Sequence, residues 1–414
     1  MKASVVTLGC KVNEYESQSI MAQLKEEGYE IFEGLVPADV YVVNTCAVTN
    51  TGEKKSRQML AKIEKLNPNA KIVVVGCAVQ NNPAKFLTNK NVIALAGNYG
   101  KHDIINFINK QNKVLPELEH NKFINMKKPI ETRTRQYVKI QDGCNYFCTY
   151  CLIPYLRGRS RSRDMADILQ EIKSMQANEI VLTGINMSDY RINGELALKT
   201  LVEEIDKLNK RFRISSIECN VLTEEMLTTL KNCKNFCPHF HLSLQSACDE
   251  TLKRMNRRYS IEQFKQVVKN IKKIFPNAFI ATDVIVGFKG ETDQEFETTF
   301  NNLKEIGFDF MHIFPYSERA GTVAEKLGGD VKKEVVKKRE EKLIELNKLN
   351  IKKCYNKNLN TMHAVLIEEA NEKMSYGYTE NYIYTQIKGN YQVGEVVKVK
   401  LKDVCQNGMI GEVI

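Results

Sequence analysis

The sequence predicts an α/β protein in three parts: an N-terminal α/β domain with a parallel sheet (1–112), a central partial (βα)6 TIM-like barrel (133–356) and a small C-terminal antiparallel β-barrel of OB-like character (357–414). Three observations predict it. Apolar β-branched runs alternate with amphipathic helical patterns over the first hundred residues and again from Tyr137, as in parallel sheets covered by helices. Between these two regions the periodicity lapses, which indicates a linker at 113–132. After residue 357, short alternating strands are punctuated by glycines.

The N-terminal domain places a cysteine after each of its first three strands. Strands are expected at 4–8, 40–43, 71–75 and 91–95, with helices at 13–27 and 51–66. Cys10, Cys46 and Cys77 follow the first three strands, and ligands of open α/β sheets bind outside those carboxyl ends. Gly9 and Gly76 would let the backbone approach a bulky group closely. The pattern predicts a three-thiolate site, and buried cysteines acting as small apolar residues are the alternative.

The central domain repeats the strand–helix unit six times. Strands are expected at 137–140, 179–182, 213–217, 239–244, 279–286 and 308–314, and helices at 164–177, 198–208, 223–231, 261–275 and 292–306. Six units are too few for a closed eight-fold barrel, so an open barrel is expected, with its chemistry at the carboxyl ends of the strands. A charged helix at 332–353 would lead to the last domain.

A C-x3-C-x2-C loop follows the first strand of this barrel, formed by Cys144, Cys148 and Cys151. A structural zinc site needs four ligands, and no nearby fourth cysteine or histidine completes this set. A [4Fe–4S] cluster held by three thiolates leaves one iron open to another ligand. Zinc binding or simple burial is the alternative. The cysteines at 233, 237, 248, 354 and 405 are interpreted as structural.

The C-x3-C-x2-C loop resembles the signature of radical S-adenosylmethionine (SAM) enzymes, and the three parts together resemble the methylthiotransferase family over nearly the whole chain. The resemblance implies two [4Fe–4S] clusters, a radical-SAM cluster on Cys144, Cys148 and Cys151 and an auxiliary cluster on the three N-terminal cysteines. It also implies two SAM molecules per turnover. One methylates a cluster-bound sulfur, and the other yields the 5′-deoxyadenosyl radical that abstracts hydrogen from the substrate.

The same resemblance implies SAM contacts at the ends of three barrel strands. The matching residues are Thr183, Gly184, Asn186, Ser243, Gln245, Asp283 and Gly287. Turns use the same residue types, so ordinary loop structure is the alternative. The chain departs from the family at Cys219 and Lys289, where proline is more usual.

Three short sequence segments indicate one branch of the family. Thr7-Leu8-Gly9-Cys10-Lys11-Val12-Asn13, Asn44-Thr45-Cys46-Ala47-Val48-Thr49-Asn50 and the arginine-rich run at 155–163 look like the branch that acts on N6-threonylcarbamoyladenosine beside the tRNA anticodon. The alternatives are the same chemistry on isopentenyladenosine or on a ribosomal-protein aspartate. An alternative of another class is an RNA-binding protein whose clusters are structural or sense redox state.

RNA contacts are expected at three places. Lys11 would border the modified nucleoside, and alternating arginines (Arg157, Arg159, Arg161 and Arg163) would meet phosphates, unless they form structural ion pairs. The C-terminal barrel resembles a TRAM domain, an RNA-binding appendage. There Lys398, Lys400 and Lys402 alternate along one strand.

Composition bounds the remaining expectations. The net charge of +10 favours a polyanionic partner. No leader segment and no apolar run of about 18 residues is visible, which predicts a cytoplasmic protein without a membrane span, where cysteines serve metals or catalysis. The expected partners are the tRNA anticodon stem-loop, an electron donor such as flavodoxin or ferredoxin, and a sulfur source for a monomeric enzyme.

Overall fold

The computed structural model describes residues 1–117 and 122–414. The predicted linker at 113–132 therefore lies partly outside the described residues. Within those two ranges, no helix has both the length and the apolar character that a membrane crossing requires.

The N-terminal domain is a five-stranded parallel sheet in the order β2-β1-β3-β4-β5. Its strands are β1 (Lys2–Thr7), β2 (Glu30–Glu33), β3 (Val40–Thr45), β4 (Lys71–Gly76) and β5 (Val92–Gly97), and its helices are α1 (Lys11–Glu26), α2 (Asn50–Leu66), α3 (Cys77–Asn81), α4 (Ala84–Leu87) and α5 (Ile104–Lys110). The three central strands are almost wholly buried, because helices cover both faces of the sheet. The edge strand β2 was not predicted, because only its two middle residues are half-buried.

The central domain is an open barrel made of two parallel sheets, β12-β9-β6 and β13-β14-β15-β16. Its strands are β6 (Arg135–Lys139), β7 (Gln141–Asp142), β8 (Arg161–Ser162), β9 (Glu179–Thr183), β10 (Arg191–Ile192), β11 (Glu195–Leu196), β12 (Arg211–Ile214), β13 (Ser216–Ile217), β14 (His239–Gln245), β15 (Phe279–Val286) and β16 (Phe310–Pro315). Its helices are α6 (Ile153–Arg157), α7 (Met165–Ser174), α8 (Leu198–Asp206), α9 (Glu224–Asn232), α10 (Asp249–Arg254), α11 (Ile261–Ile274), α12 (Asp293–Ile306) and α13 (Lys333–Asn358). The predicted (βα)6 architecture is confirmed.

Side chains alternate between two faces along each barrel strand. One set is apolar and packs against the outer helices in the largest core of the molecule, as Leu242 and Val284 do. The other set faces the barrel interior and is largely polar; His241, Asp283 and His312 belong to it. The barrel therefore has a dry outer layer and a polar interior.

The C-terminal domain is a closed five-stranded barrel in the order β17-β18-β19-β21-β20. Its strands are β17 (Met362–Ala370), β18 (Met374–Tyr378), β19 (Tyr384–Lys388), β20 (Val396–Cys405) and β21 (Gly408–Val413). The predicted small barrel is confirmed, but β19 and β21 pair in parallel, whereas an entirely antiparallel barrel was expected. The sequence Tyr382-Ile383-Tyr384-Thr385-Gln386 predicts a strand from residue 382, but β19 begins two residues later because Tyr382 adopts a positive φ of 71° in the preceding turn.

This small barrel docks on the amino-terminal ends of the central strands. Arg213 of β12 donates to the carbonyl oxygens of Thr379 (2.8 Å) and Glu380 (2.7 Å), while Glu179 of β9 accepts from the same guanidinium at 2.6 Å. The ring of His239 stacks on Tyr382 at 4.5 Å. The carboxyl-terminal ends of the central strands are thereby left to the cysteine loop.

Candidate functional site

The three N-terminal cysteines lie at one edge of the parallel sheet. Cys10 precedes the first turn of α1, Cys46 follows β3, and Cys77 opens α3 directly after β4. Burial, together with the nearby Cys77 and Cys10 thiols, raises the pKa of the Cys46 thiol to about 11, so the three sulfur atoms share one environment. Gly9 has a φ of +115°, and a Cβ there would lie 3.1 Å from the Cys46 sulfur. Glycine is therefore required beside this site.

The second cysteine loop is half-buried beyond the carboxyl end of β6. Burial raises the pKa of Cys144 to about 11 and that of Cys151 to about 12. Backbone N–H groups of Tyr146 and Ile153 donate to these two sulfur atoms at 3.4 Å each. Three thiols in each set, with backbone donors aimed at the sulfurs of the second, fit three-thiolate ligation of a [4Fe–4S] cluster.

A buried arginine donates to one sulfur in each set. Arg157 Nε lies 3.4 Å from the Cys77 sulfur, and Arg257 Nη1 lies 3.3 Å from the Cys148 sulfur. Arg257 is fixed in place by the carbonyl oxygen of Ser243 at 2.7 Å and by the carboxylate of Glu218. Each arginine would stabilise a thiolate and orient it, the role that outer hydrogen bonds play around metal ligands.

Arg157 belongs to a buried ionic network that joins the N-terminal domain to the central barrel. Glu16 of α1 accepts from Arg157 at 2.8 Å, from Lys139 of β6 at 2.7 Å, and from Lys101. Burial opposes ionisation of Glu16, but these three cations outweigh it and hold its pKa well below the usual range. Asp142 accepts from Arg157 at 3.1 Å and completes the network.

These contacts correct the prediction that all four arginines of the run meet phosphates. Arg157 and Arg163 are 2% and 7% exposed, and Arg163 is paired with Glu171 at 2.8 Å. Arg161 donates to the carbonyl oxygens of Arg157 and Arg159. Only Arg159 is exposed among the four, lying over the Phe147 ring at 4.4 Å. The structural ion pairs that alternating charge also allowed are formed by Arg157 with Glu16 of α1, 141 residues away, and by Arg163 with Glu171 of α7, close by in the chain.

The predicted SAM residues occupy two levels of the barrel. Thr183, Gly184, Asn186, Ser243 and Gln245 lie at the carboxyl ends of β9 and β14, on the side of the cysteine loop. The side-chain amide nitrogen of Asn186 is buried with no hydrogen-bond partner in strict geometry among the described residues, but it lies near enough to the Cys144 sulfur to lower the pKa of that thiol. Asp283 lies deeper, in the middle of β15. Gly287 has φ +73°, and a Cβ there would come within 2.5 Å of Val336, so packing alone explains this glycine.

A polar cluster in the barrel interior was not singled out by sequence reasoning, which considered Asp283 alone. The ligand atoms of His241, Asp283 and His312 lie within 4.8 Å of one another, and His241 Nε2 is 3.0 Å from Asp283 Oδ2. The two imidazole rings are nearly parallel at 5.3 Å. Lys11, at the first position of α1, is half-buried beside this cluster and Cys10. Alternation of polar and apolar residues along β14 was the available signal, and β16 carries none because His312 is its one polar residue.

The lysines of β20 share one face of the small barrel. Lys398 and Lys402 are exposed and Lys400 is half-buried, whereas Val397, Val399 and Leu401 between them are buried. The alternation therefore follows the pleat of the strand. Lys402 is paired with Glu412 at 2.9 Å.

Comparison with known proteins matches two family models to the chain. Residues 138–303 match the Radical SAM superfamily, and residues 2–97 match a family described as Uncharacterized protein family UPF0004. The chain is 39% identical to the threonylcarbamoyladenosine tRNA methylthiotransferase MtaB of Bacillus subtilis, over 95% of this chain and 92% of the relative. It is 33% identical to the tRNA-2-methylthio-N(6)-dimethylallyladenosine synthase of Thermodesulfovibrio yellowstonii, over 99% and 98%.

Among solved structures, the chain resembles the radical S-adenosylmethionine methyltransferase TsrM of Kitasatospora setae. The TM-score is 0.55 at 13% identity, covering 76% of this chain and 73% of that one. At this identity the likeness concerns the fold of the barrel.

Proposed function

The chain belongs to the methylthiotransferase family of radical-SAM enzymes, and we propose that it attaches a methylthio group to C2 of N6-threonylcarbamoyladenosine beside the anticodon of tRNA. One observation carries the proposal. Two separate three-cysteine sites each have a buried arginine on one sulfur, and Arg157 ties the first of them to the ionic network between the two domains. A single site would serve SAM cleavage alone, whereas sulfur insertion needs a second place where sulfur is held.

The family and the two sets of three cysteines indicate the cofactors. A [4Fe–4S] cluster and SAM belong to the radical-SAM family, and Cys144, Cys148 and Cys151 would hold that cluster. Cys10, Cys46 and Cys77 would hold a second, auxiliary [4Fe–4S] cluster. Together with SAM, these groups supply a carbon-centred radical, a sulfur atom and a methyl group.

The protein's own residues would hold and orient the bound groups and keep water away from them. Arg157 and Arg257 would place positive charge against Cys77 and Cys148 and so favour their thiolate forms. The buried Asn186 amide at the mouth of the barrel would donate to SAM or to the neighbouring Cys144 sulfur. Tyr150, between two of the loop cysteines, stands edge-on to Phe288 at 6.2 Å and shields that side of the loop from solvent.

The assignment of the substrate rests on the similarity to relatives and on the residues beside Cys10. The relative named for threonylcarbamoyladenosine is more similar than the one named for dimethylallyladenosine, 39% against 33% identity over comparable lengths. Lys11 and Val12, beside Cys10, also agree with that branch. A protein whose clusters are only structural would not need two sets of three ligands.

The partners follow from this chemistry. The anticodon stem-loop of tRNA is the substrate, with Arg159 and the face formed by Lys398, Lys400 and Lys402 as phosphate contacts. Reductive cleavage of SAM needs an electron donor such as flavodoxin or ferredoxin, and each turnover consumes a sulfur atom. We place a monomeric enzyme in the cytoplasm, where tRNA is modified.

Mass spectrometry of tRNA nucleosides from a strain lacking this gene tests the proposed function. The 2-methylthio form of threonylcarbamoyladenosine should disappear while threonylcarbamoyladenosine itself accumulates. The wild-type gene should restore the product, and a Cys151→Ala gene should not. Loss of methylthiolated isopentenyladenosine instead would overturn the substrate assignment.

A further inference from the structure

Lys11 carries a charge that nothing in the described protein neutralises directly. Among the described residues, its ammonium makes no hydrogen bond and no ion pair within 4.0 Å, although the side chain is half-buried. The positive charges of Arg135 and Arg213 lie near this ammonium, and the carboxylate of Asp283 lies near it without pairing with it. An unpaired ammonium held next to other cations is costly to fold, which is understandable if a ligand supplies the missing negative charge.

A second donor close to Lys11 is also unused. The guanidinium of Arg135 lies over the rings of Tyr378 (4.7 Å) and Tyr382 (4.9 Å), and Glu368 pairs with its Nε at 2.6 Å. Within the described ranges, no hydrogen-bond partner reaches its buried Nη1. Arg213, by contrast, is fully engaged by Glu179 and two carbonyl oxygens. Among the described cationic groups of the interior, Lys11, Arg135 and Arg211 therefore keep a donor without a partner, and of the two arginines Arg135 is the one whose charge acts on Lys11.

The balance of charge in the interior favours an anion over a metal ion. Four cationic side chains (Lys11, Arg135, Arg211 and Arg213) face three carboxylates (Glu179, Glu368 and Asp283). The spacing of His241, Asp283 and His312 would suit a metal ion, but a divalent cation there would add positive charge beside the unpaired ammonium. A monovalent anion would instead offset the excess.

We propose that Lys11, assisted by Arg135, binds the carboxylate of the N6 substituent of the substrate adenosine and so determines substrate specificity. The inference rests on the proposed function, because the threonylcarbamoyl group carries a carboxylate and an isopentenyl group carries none. Lys11 directly follows Cys10, so an adenosine that presents C2 to the N-terminal cysteine site would have its N6 substituent within reach of the barrel interior. His312 and Phe314 are exposed, and the interior is therefore open to such a ligand.

The test compares two anticodon stem-loops that differ by one charge, one with threonylcarbamoyladenosine and one with its carboxylate methyl ester. Reconstituted full-length enzyme is assayed for kcat/KM, and stem-loop affinity is measured without turnover by fluorescence anisotropy. The wild type should prefer the free acid about ten- to hundred-fold, the value of one partly buried charge-assisted hydrogen bond. Lys11→Met should reduce this preference to about one.

Two further variants make the result specific. Lys25→Met removes the same charge from an exposed position on the same helix and should keep the full preference. Lys11→Arg should retain part of it, because the charge remains. The preference is a ratio within one variant, so incomplete cluster loading cancels.

The possible failures are distinguishable. If Lys11→Met keeps the acid-over-ester preference, or if Lys11→Arg loses it as completely as Lys11→Met, the inference is overturned while the proposed function stands. If the wild type ignores threonylcarbamoyladenosine altogether, the proposed function itself fails.

Discussion

Two neighbouring arginines of the cysteine-loop region have opposite roles at the scale of single residues. Arg157 is buried between Glu16 and Asp142, whereas Arg159, two positions later, is exposed. Replacing Arg157 with Met leaves the buried Glu16 with two cations in place of three and removes the donor on Cys77. We expect the free energy of unfolding to fall by about 3–5 kcal/mol, the usual cost of breaking a buried ion pair. Urea denaturation measures it, and an unchanged midpoint would show that the network is not needed for folding.

Arg159→Ala should leave that midpoint unchanged and weaken tRNA binding. Loss of one phosphate contact lowers the slope of log affinity against log salt by about one. Fluorescence anisotropy over a series of salt concentrations measures this slope. Lys269→Ala, an exposed substitution on the outer helix α11, is the control and should not alter it. Equal slopes for both variants would show that Arg159 does not contact a tRNA phosphate.

The cysteine thiols make metal uptake dependent on pH. Burial raises the pKa of Cys46 and Cys144 to about 11 and that of Cys151 to about 12. The free thiols are therefore protonated near neutrality and must lose their protons when iron binds. Anaerobic iron incorporation should be markedly greater at about pH 8 than at about pH 6, with protons released on binding. Iron content that does not depend on pH would contradict the thiolate assignment.

At the scale of secondary-structure elements, the buried parallel strands were predictable and the barrel edges were not. Lys71–Gly76 is a run of valines that has to be covered on both faces, and the prediction stops one residue short of its end. Met374–Tyr378 was missed, because the glycine in Ser375-Tyr376-Gly377-Tyr378 looks like a turn. The two cysteine sites could be predicted from the sequence because cysteine spacing and strand ends are local features. The partners of Arg157 were not, since Glu16 lies 141 residues away.

The attachment of the small barrel depends on Glu179. Burial opposes its ionisation, but Arg213 and Arg211 outweigh this and hold its pKa below the usual range. Its folded-state pKa is thus lower than its unfolded value, so the stability it contributes is present above about pH 4.5 and is lost as the pH falls through the folded pKa. Glu179→Gln should lower the free energy of unfolding at neutral pH by about 3–5 kcal/mol and flatten its decline in acid.

Denaturation of this variant between neutral and acidic pH measures both effects. Glu225→Gln is the matched control, because Glu225 pairs with Lys199 at the exposed surface. A Glu179→Gln protein as stable as the Glu225→Gln protein would show that the pairing of Glu179 with Arg213 and Arg211 does not contribute to stability.

At the scale of the whole molecule, we expect the two cysteine sites to have separate tasks, SAM cleavage at one and sulfur insertion at the other. Reconstituted protein should contain about eight irons, and either triple cysteine-to-alanine variant about four. Without Cys10, Cys46 and Cys77, reductive formation of 5′-deoxyadenosine should continue, while methylthiolated product should vanish. Without Cys144, Cys148 and Cys151, both should stop. A folded N-terminal triple variant that has lost SAM cleavage would mean that this domain only supports the barrel.

The most direct test of the central claim is a competition between substrates. Purified, reconstituted enzyme is given equal amounts of three anticodon stem-loops, bearing threonylcarbamoyladenosine, isopentenyladenosine or unmodified adenosine, with SAM and a reductant. Mass spectrometry of the nucleosides then reads which adenosine has gained a methylthio group. We predict that nearly all product carries the threonylcarbamoyl group. Equal or greater methylthiolation of the isopentenyl stem-loop would contradict the account.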